Sequence, residues 1–212
     1  VNNQDSFSRI VTYFKALASE DFVWNNQIIK HYDCLKLSPL AFRSYSCPSH
    51  CGACCMKCSL VWDEKVIDSS IPITYTINNT EKTFYVDFQK EHNEPKCRHL
   101  NLTDGLCKLY LKRPLPCRLE LFKFIHYTSK NEAHARVQLP GRRWALTRVD
   151  GEQGGICEIR NYDPKLTQSH IDDLKILQQW MSEFKITNRC DVVIEYLSSG
   201  PHNHVLNIGE NQ

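Results

Sequence analysis

No stretch of the 212-residue sequence approaches the roughly 18 consecutive apolar residues of a membrane-spanning helix, and no membrane association is expected. The first residues, VNNQDSFSRI, lack the basic-then-apolar order of a secretion signal, so the expectation is a soluble cytoplasmic protein. There is no internal repeat and no low-complexity tract. Nothing resembles a Walker loop, a GxSxG elbow or an HExxH helix, and no Gly-rich strand-to-helix turn is present to cradle a nucleotide cofactor. Charge of one sign is not in excess: 26 Lys and Arg against 24 Asp and Glu leave a formal +2. The sequence therefore lacks the broad positive field of non-specific nucleic-acid binders. With 42% hydrophobic and 24% charged residues the chain can bury a core, which excludes disorder.

What the sequence does have is cysteine. Eleven is an odd number, so complete pairing within the chain is impossible, and a reducing compartment disfavours disulfides in any case. Cys47, Cys51, Cys54, Cys55 and Cys58 fall within twelve residues, and a looser group follows at Cys97, Cys107 and Cys117. Cys34, Cys157 and Cys190 stand apart.

Thiols two residues apart can close on one metal through a tight turn, here eased by Gly52. Adjacent Cys54 and Cys55 diverge from one backbone and do not serve one ion equally, which points to a cluster or to two nearby sites. Thiolates select zinc, Cu(I) or iron-sulfur centres over magnesium and calcium. The two groups supply eight sulfurs, and His50 and His99 lie beside them as substitutes, so the spacing fixes no unique ligand set. Buried, inert cysteine is the competing reading, but such residues have no reason to share metal-ligand spacing.

CxxxCxxCC at 47–55, Cys97 in KCRHL, Cys107 in GLCKLY and the KRPLPCR segment ending at Cys117-Arg118 together resemble the YkgJ-like cysteine-cluster family, a zinc- or iron-chelating domain. The resemblance covers roughly residues 44–125. It implies metal chelation by Cys47, Cys51, Cys54, Cys55, Cys97, Cys107 and Cys117, and it does not imply a settled reaction. Cys58 and Cys157 fall outside the family pattern. Similar cysteine clusters occur in flagellin lysine methylases, which makes protein side-chain modification one family-derived reading, although this chain is short for a complete methylase. Around a negatively charged thiolate cluster, guanidinium groups can hydrogen-bond sulfur, and Arg118 is expected in that supporting role. Pro114 and Pro116 are expected to stiffen the approach to Cys117.

Local patterns place helices at both ends. Phe7, Ile10, Val11, Phe14 and Leu17 predict an amphipathic helix over 6–18 with Asp5 or Ser6 as its cap, and a second helix is expected over 21–32, weakened by Asn25 and Asn26. IPITYTI (71–77) and TFYVDF (83–88) flank Asn78-Asn79 as a hairpin. Residues 134–149 predict a second hairpin turning at Pro140-Gly141. A helix is expected over 168–185 with Thr167 or Ser169 as cap, then a strand over 192–197 and a loose tail after Ser198. The expected fold is α+β. An irregular cysteine-rich centre with short hairpins, organised by metal, lies between N- and C-terminal helices. The segments are 1–43, 44–160 and 161–212, together forming one compact domain.

Two functions follow as expectations. The first is an iron-sulfur centre, 4Fe-4S in type, used for redox or catalytic chemistry on a protein or small-molecule substrate, which would make the chain a metal-dependent oxidoreductase or a methylase-like enzyme. The alternative is a zinc-stabilised interaction module without chemistry. Cys47-x3-Cys51-x2-Cys54 also has the spacing of radical S-adenosylmethionine enzymes. Those follow the motif with repeated strand-helix units, whereas hairpins stand here, which argues against radical chemistry. Arg142, Arg143 and Trp144 are too few to define a nucleic-acid face.

Overall fold

In a computed structural model of the chain, the described residues are 4–31, 34–37, 45–46, 59–89, 96–119, 122–123, 135–139, 142–146, 158–159 and 163–199. Cys47, Cys51, Cys54, Cys55, Cys58, Cys157, His50, the Pro140-Gly141 turn and the tail beyond 199 lie outside them.

Helix α1 (Gln4–Leu17) forms as its periodicity predicts, with Ile10, Val11, Phe14 and Leu17 buried. Asp5 and Ser6 lie inside the helix rather than capping it. The helix expected over 21–32 is instead an antiparallel pair, β1 (Phe22–Trp24) and β2 (Gln27–Ile29). The reason is local. Asn25 and Asn26 both take positive φ, 45° and 62°, the two-residue geometry that suits a tight hairpin and that asparagine tolerates better than most residues. The apolar residues on either side then pair across the turn, which lets Trp24 enter the core.

Strands β3 (Cys34–Leu37), β4 (Tyr45–Ser46) and β5 (Leu60–Trp62) precede the predicted first hairpin, β6 (Ile71–Ile77) and β7 (Thr80–Asp87). Its turn residues Asn78 and Asn79 take φ of 51° and 62°, repeating the device of the first turn. The sheet order is β5-β7-β6, antiparallel throughout. After the short helix α2 (Leu115–Arg118) come β8 (Phe122–Lys123), β9 (Ala135–Leu139), β10 (Arg142–Leu146) and β11 (Glu158–Ile159). β9 and β10 pair as the second hairpin, and Arg142–Leu146 proves to be a strand within a four-stranded sheet of order β8-β3-β10-β9. There β10 runs parallel to β3, joining segments more than a hundred residues apart. β11 pairs with β4.

Helix α3 (Pro164–Glu183) starts earlier than expected because Asp163 is the cap: its Oδ1 accepts the Lys165 and Leu166 N–H groups, and Pro164 occupies the first turn, where no N–H is needed. Thr167 and Ser169, the expected caps, lie inside the helix. The strand expected over 192–197 is helix α4 (Cys190–Ser198). Its β-branched residues suggested a strand, but Cys190, Val193 and Leu197 recur at helical spacing and all three are buried, so burial of that stripe overrides local propensity.

One core unites the two ends of the chain with the β5-β7-β6 sheet. Phe14, Trp24, Phe84 and Phe184 are fully buried, with Trp24 edge-on to Phe14 at 5.4 Å and to Phe184 at 5.0 Å between centroids. Phe84 meets Trp180 edge-on at 4.9 Å. The architecture is α+β, with helices at the N- and C-terminal ends. No helix among the described residues is long and apolar enough to cross a membrane.

Candidate metal centre

Cys97 and Cys107 sit on facing arms of one loop. The Leu100 N–H donates to Cys97 O at 3.0 Å, and Leu100 forms an antiparallel bridge with Cys107. Asn101 N–H to Leu106 O (2.8 Å) and Lys108 N–H to His99 O (2.9 Å) lock the arms in register. The tip turns at Gly105, whose φ of 70° avoids the Cβ clash of other residues, while the Asp104 carboxylate accepts Asn101 Nδ2 and the Leu106 N–H. Sequence-local hydrogen bonding thus brings two cysteines ten residues apart to neighbouring places.

The electrostatics at Cys97 oppose one another. Partial burial pushes its thiol above the ordinary value. The His99 backbone N–H, hydrogen-bonded to the sulfur, works the other way by favouring thiolate. Negative charge on Cys107 and on Asp87 raises it further, and Arg98 lowers it. A divalent metal would supply what this sulfur lacks, a strong positive partner that offsets loss of the proton.

The arm bearing Cys97 is clamped to the sheet by Asp87, the last residue of β7. Its carboxylate is almost fully buried and accepts from both Arg98 Nε (3.1 Å) and Nη2, from Gln89 Nε2 (2.9 Å) and from His99 Nε2 (2.8 Å). Gln89 closes the clamp by accepting the Arg98 N–H at 2.8 Å. In the contact with a carboxylate oxygen, His99 Nε2 is the donor, so the ring is oriented by Asp87.

Cys117, half-buried, lies on α2. Pro114 brings the chain in extended, at ψ 154°, and its carbonyl accepts the Cys117 N–H at 2.9 Å. Tyr13 Oη donates to Pro116 O at 2.7 Å and Trp62 Nε1 to Lys112 O at 2.9 Å, fixing this turn against α1 and β5. Arg118, expected to support the thiolates, pairs through Nη1 with Asp173 Oδ1 of α3 at 2.5 Å.

Burial raises the Asp173 carboxyl to about 6, against the opposing pull of Arg118 and then of Arg113. Between the unfolded value of 3.8 and about 6 the folded state holds a proton that the unfolded chain has lost, so this group's stabilisation is full below 3.8 and disappears as pH rises through 6. Thermal midpoints of the wild type should therefore fall relative to those of Asp173→Asn as pH is raised from 4 to 7. A constant difference across that range would refute the assignment.

Of the seven cysteines expected to bind metal, Cys97, Cys107 and Cys117 are among the described residues, and Cys97 and Cys107 are brought together. No three Cys, His, Asp or Glu side chains converge as a complete set among the described residues. The donor chemistry present still fits a soft metal, since two free thiols on one loop, one with a backbone N–H on its sulfur, would supply half of a tetrahedral thiolate site. Asp87 and Asp173 were not singled out in the sequence. The available signal was an acidic residue set in each of two apolar patterns, near the end of TFYVDF and among Ile171, Leu174 and Leu177 of α3.

No curated protein and no solved structure matches this chain. Residues 46–138, a span containing both cysteine groups, match the family model CxxCxxCC, described as "Putative zinc- or iron-chelating domain".

Proposed function

We propose that this chain is a metal-binding cysteine-centre protein in which Cys47, Cys51, Cys54 and Cys55 join Cys97, Cys107 and Cys117 around zinc or iron. The observation that carries the reading is the Cys97–Cys107 loop, locked by its own backbone and clamped by Asp87, inside the span that matches a metal-chelating family. Seven thiolates exceed a single four-cysteine zinc set, which favours an iron-sulfur centre of 4Fe-4S type over one zinc ion. Such a centre would serve redox or catalytic chemistry, including modification of a protein side chain, with Arg118 near the cluster at Cys117.

A second reading rests on a different observation. Leu102, Leu106, Tyr110 and Leu111 are exposed on the same loop region, Leu111 at 95%. Apolar side chains presented by a metal-stiffened loop suit a zinc-stabilised interaction module. Metal and acid-labile sulfide content, with a visible spectrum, on protein purified without oxygen separates the two. Iron with matching sulfide is the expected result. Zinc alone in a colourless protein selects the interaction module, and absence of both metals refutes metal binding.

A further inference from the structure

We infer that a cavity beside α2 binds a small oxyanion, the carboxylate or phosphate group of a small ligand, with Arg118 as its anchor. The cavity, about 310 Å³, is lined by Lys65, Lys112, Arg113 and Arg118, by the Trp62 ring, and by Asp63 and Glu64. Its volume lies at the lower end of the range for small-molecule sites.

The argument turns on which edge of Arg118 is used. Asp173 takes Nη1. The opposite edge, where Nε–H and Nη2–H point in parallel, is the fork that receives carboxylate or phosphate in bidentate fashion. Its Nε is buried and has no hydrogen-bond partner among the described residues. A buried, orphaned N–H of a permanent cation is costly unless an acceptor meets it, and here it belongs to a residue that lines an open cavity.

The neighbours are arranged to admit such an acceptor. Lys112 has no ion-pair partner among the described residues, and its carbonyl is held in place by Trp62 Nε1. Arg113 is fixed over the Tyr110 ring at 4.3 Å, with its Nε on Tyr110 O at 3.2 Å, so its charge is already positioned. Of the two carboxylates, Asp63 is engaged by Trp180 Nε1 at 3.0 Å. Glu64 has no such engagement among the described residues and opposes highly charged anions. Lys65 pairs with Asp68 at 3.6 Å and Arg118 with Asp173, which leaves Lys112 and Arg113 as the lining cations without a carboxylate partner among the described residues. The site needs only these residues, whichever metal the cysteines hold.

Titration of inorganic phosphate and of acetate into the purified full chain, followed by the Arg side-chain Nε–H resonances at constant ionic strength, tests the inference. Saturable shifts of one Arg Nε–H are expected, and their loss in Arg118→Lys, which keeps the charge but not the fork, identifies the residue. Lys112→Ala, at an exposed position that leaves the Asp173 pair intact, should weaken binding about tenfold, as loss of one charge-assisted hydrogen bond predicts. Whether phosphate or acetate saturates at the lower concentration tells which oxyanion the site prefers. Shifts that follow ionic strength alone, or an affinity unchanged in Lys112→Ala, would overturn the proposal.

Discussion

Serine at Cys97 or at Cys107 should reduce bound metal to about a tenth or less of the wild-type content after challenge with a competing chelator, because a structural thiolate site contributes on the order of 10 kcal/mol or more and depends on its full donor set. The two residues are locked together by the Leu100–Cys107 bridge, so neither can be replaced by a neighbour without breaking the loop register. If the two cysteine groups share one centre, Cys51→Ser should give the same loss. Cys190→Ser provides the contrast. Cys190 is fully buried in α4 with its sulfur 3.9 Å from Met181 Sδ, so that substitution should lower thermal stability and leave metal content unchanged. Full occupancy in Cys97→Ser and Cys107→Ser would exclude these residues as ligands, and full occupancy in Cys51→Ser would exclude a shared centre.

The second large effect is expected at Asp87. Alanine there removes the buried acceptor of Arg98, His99 and Gln89 in one step. Breaking a buried ion pair from one side typically costs about 3–5 kcal/mol, and the exposed guanidinium of Arg98 can recover part of that by turning to water. A loss of about 3 kcal/mol in unfolding free energy is therefore expected from denaturant titration. Metal affinity should fall about tenfold or more, since groups that orient a ligand-bearing segment typically matter to that extent. Asp87→Asn distinguishes charge from position: the amide oxygen can still accept from one donor, so it should retain more affinity than alanine. Equal affinity in wild type, Asn and Ala forms would show that the clamp serves the sheet alone.

The readable parts of the fold were those written in local periodicity. The stripe Ile10, Val11, Phe14 and Leu17 gave α1, and Ile171, Leu174, Leu177 and Met181 gave α3. The β6–β7 hairpin followed from β-branched runs about Asn78-Asn79. The same turn signal stood at Asn25-Asn26, yet the neighbouring apolar residues there fitted a helix as well as a pair of strands three residues long, and packing of Trp24 among Phe14, Tyr75 and Phe184 decides between them. VVIEYL failed for the opposite reason: its residues favour strands one by one, and only the burial of Cys190, Val193 and Leu197 on one stripe selects a helix.

For the candidate site, the sequence by itself determined the chemistry. Soft donors at metal-ligand spacing exclude hard cations whatever the fold, and the motif order from Cys47 to Cys117-Arg118 was legible without coordinates. Tertiary structure alone decided the electrostatic partners. Asp87 meets Arg98 and His99 from the end of a strand, and Asp173 meets Arg118 from a helix 55 positions later in the chain. Short-range pattern registers spacing along the chain, whereas a buried carboxylate finds its cation through the packing of distant elements, and that packing is fixed only when the aromatic core closes α1, α3 and α4 over the sheet.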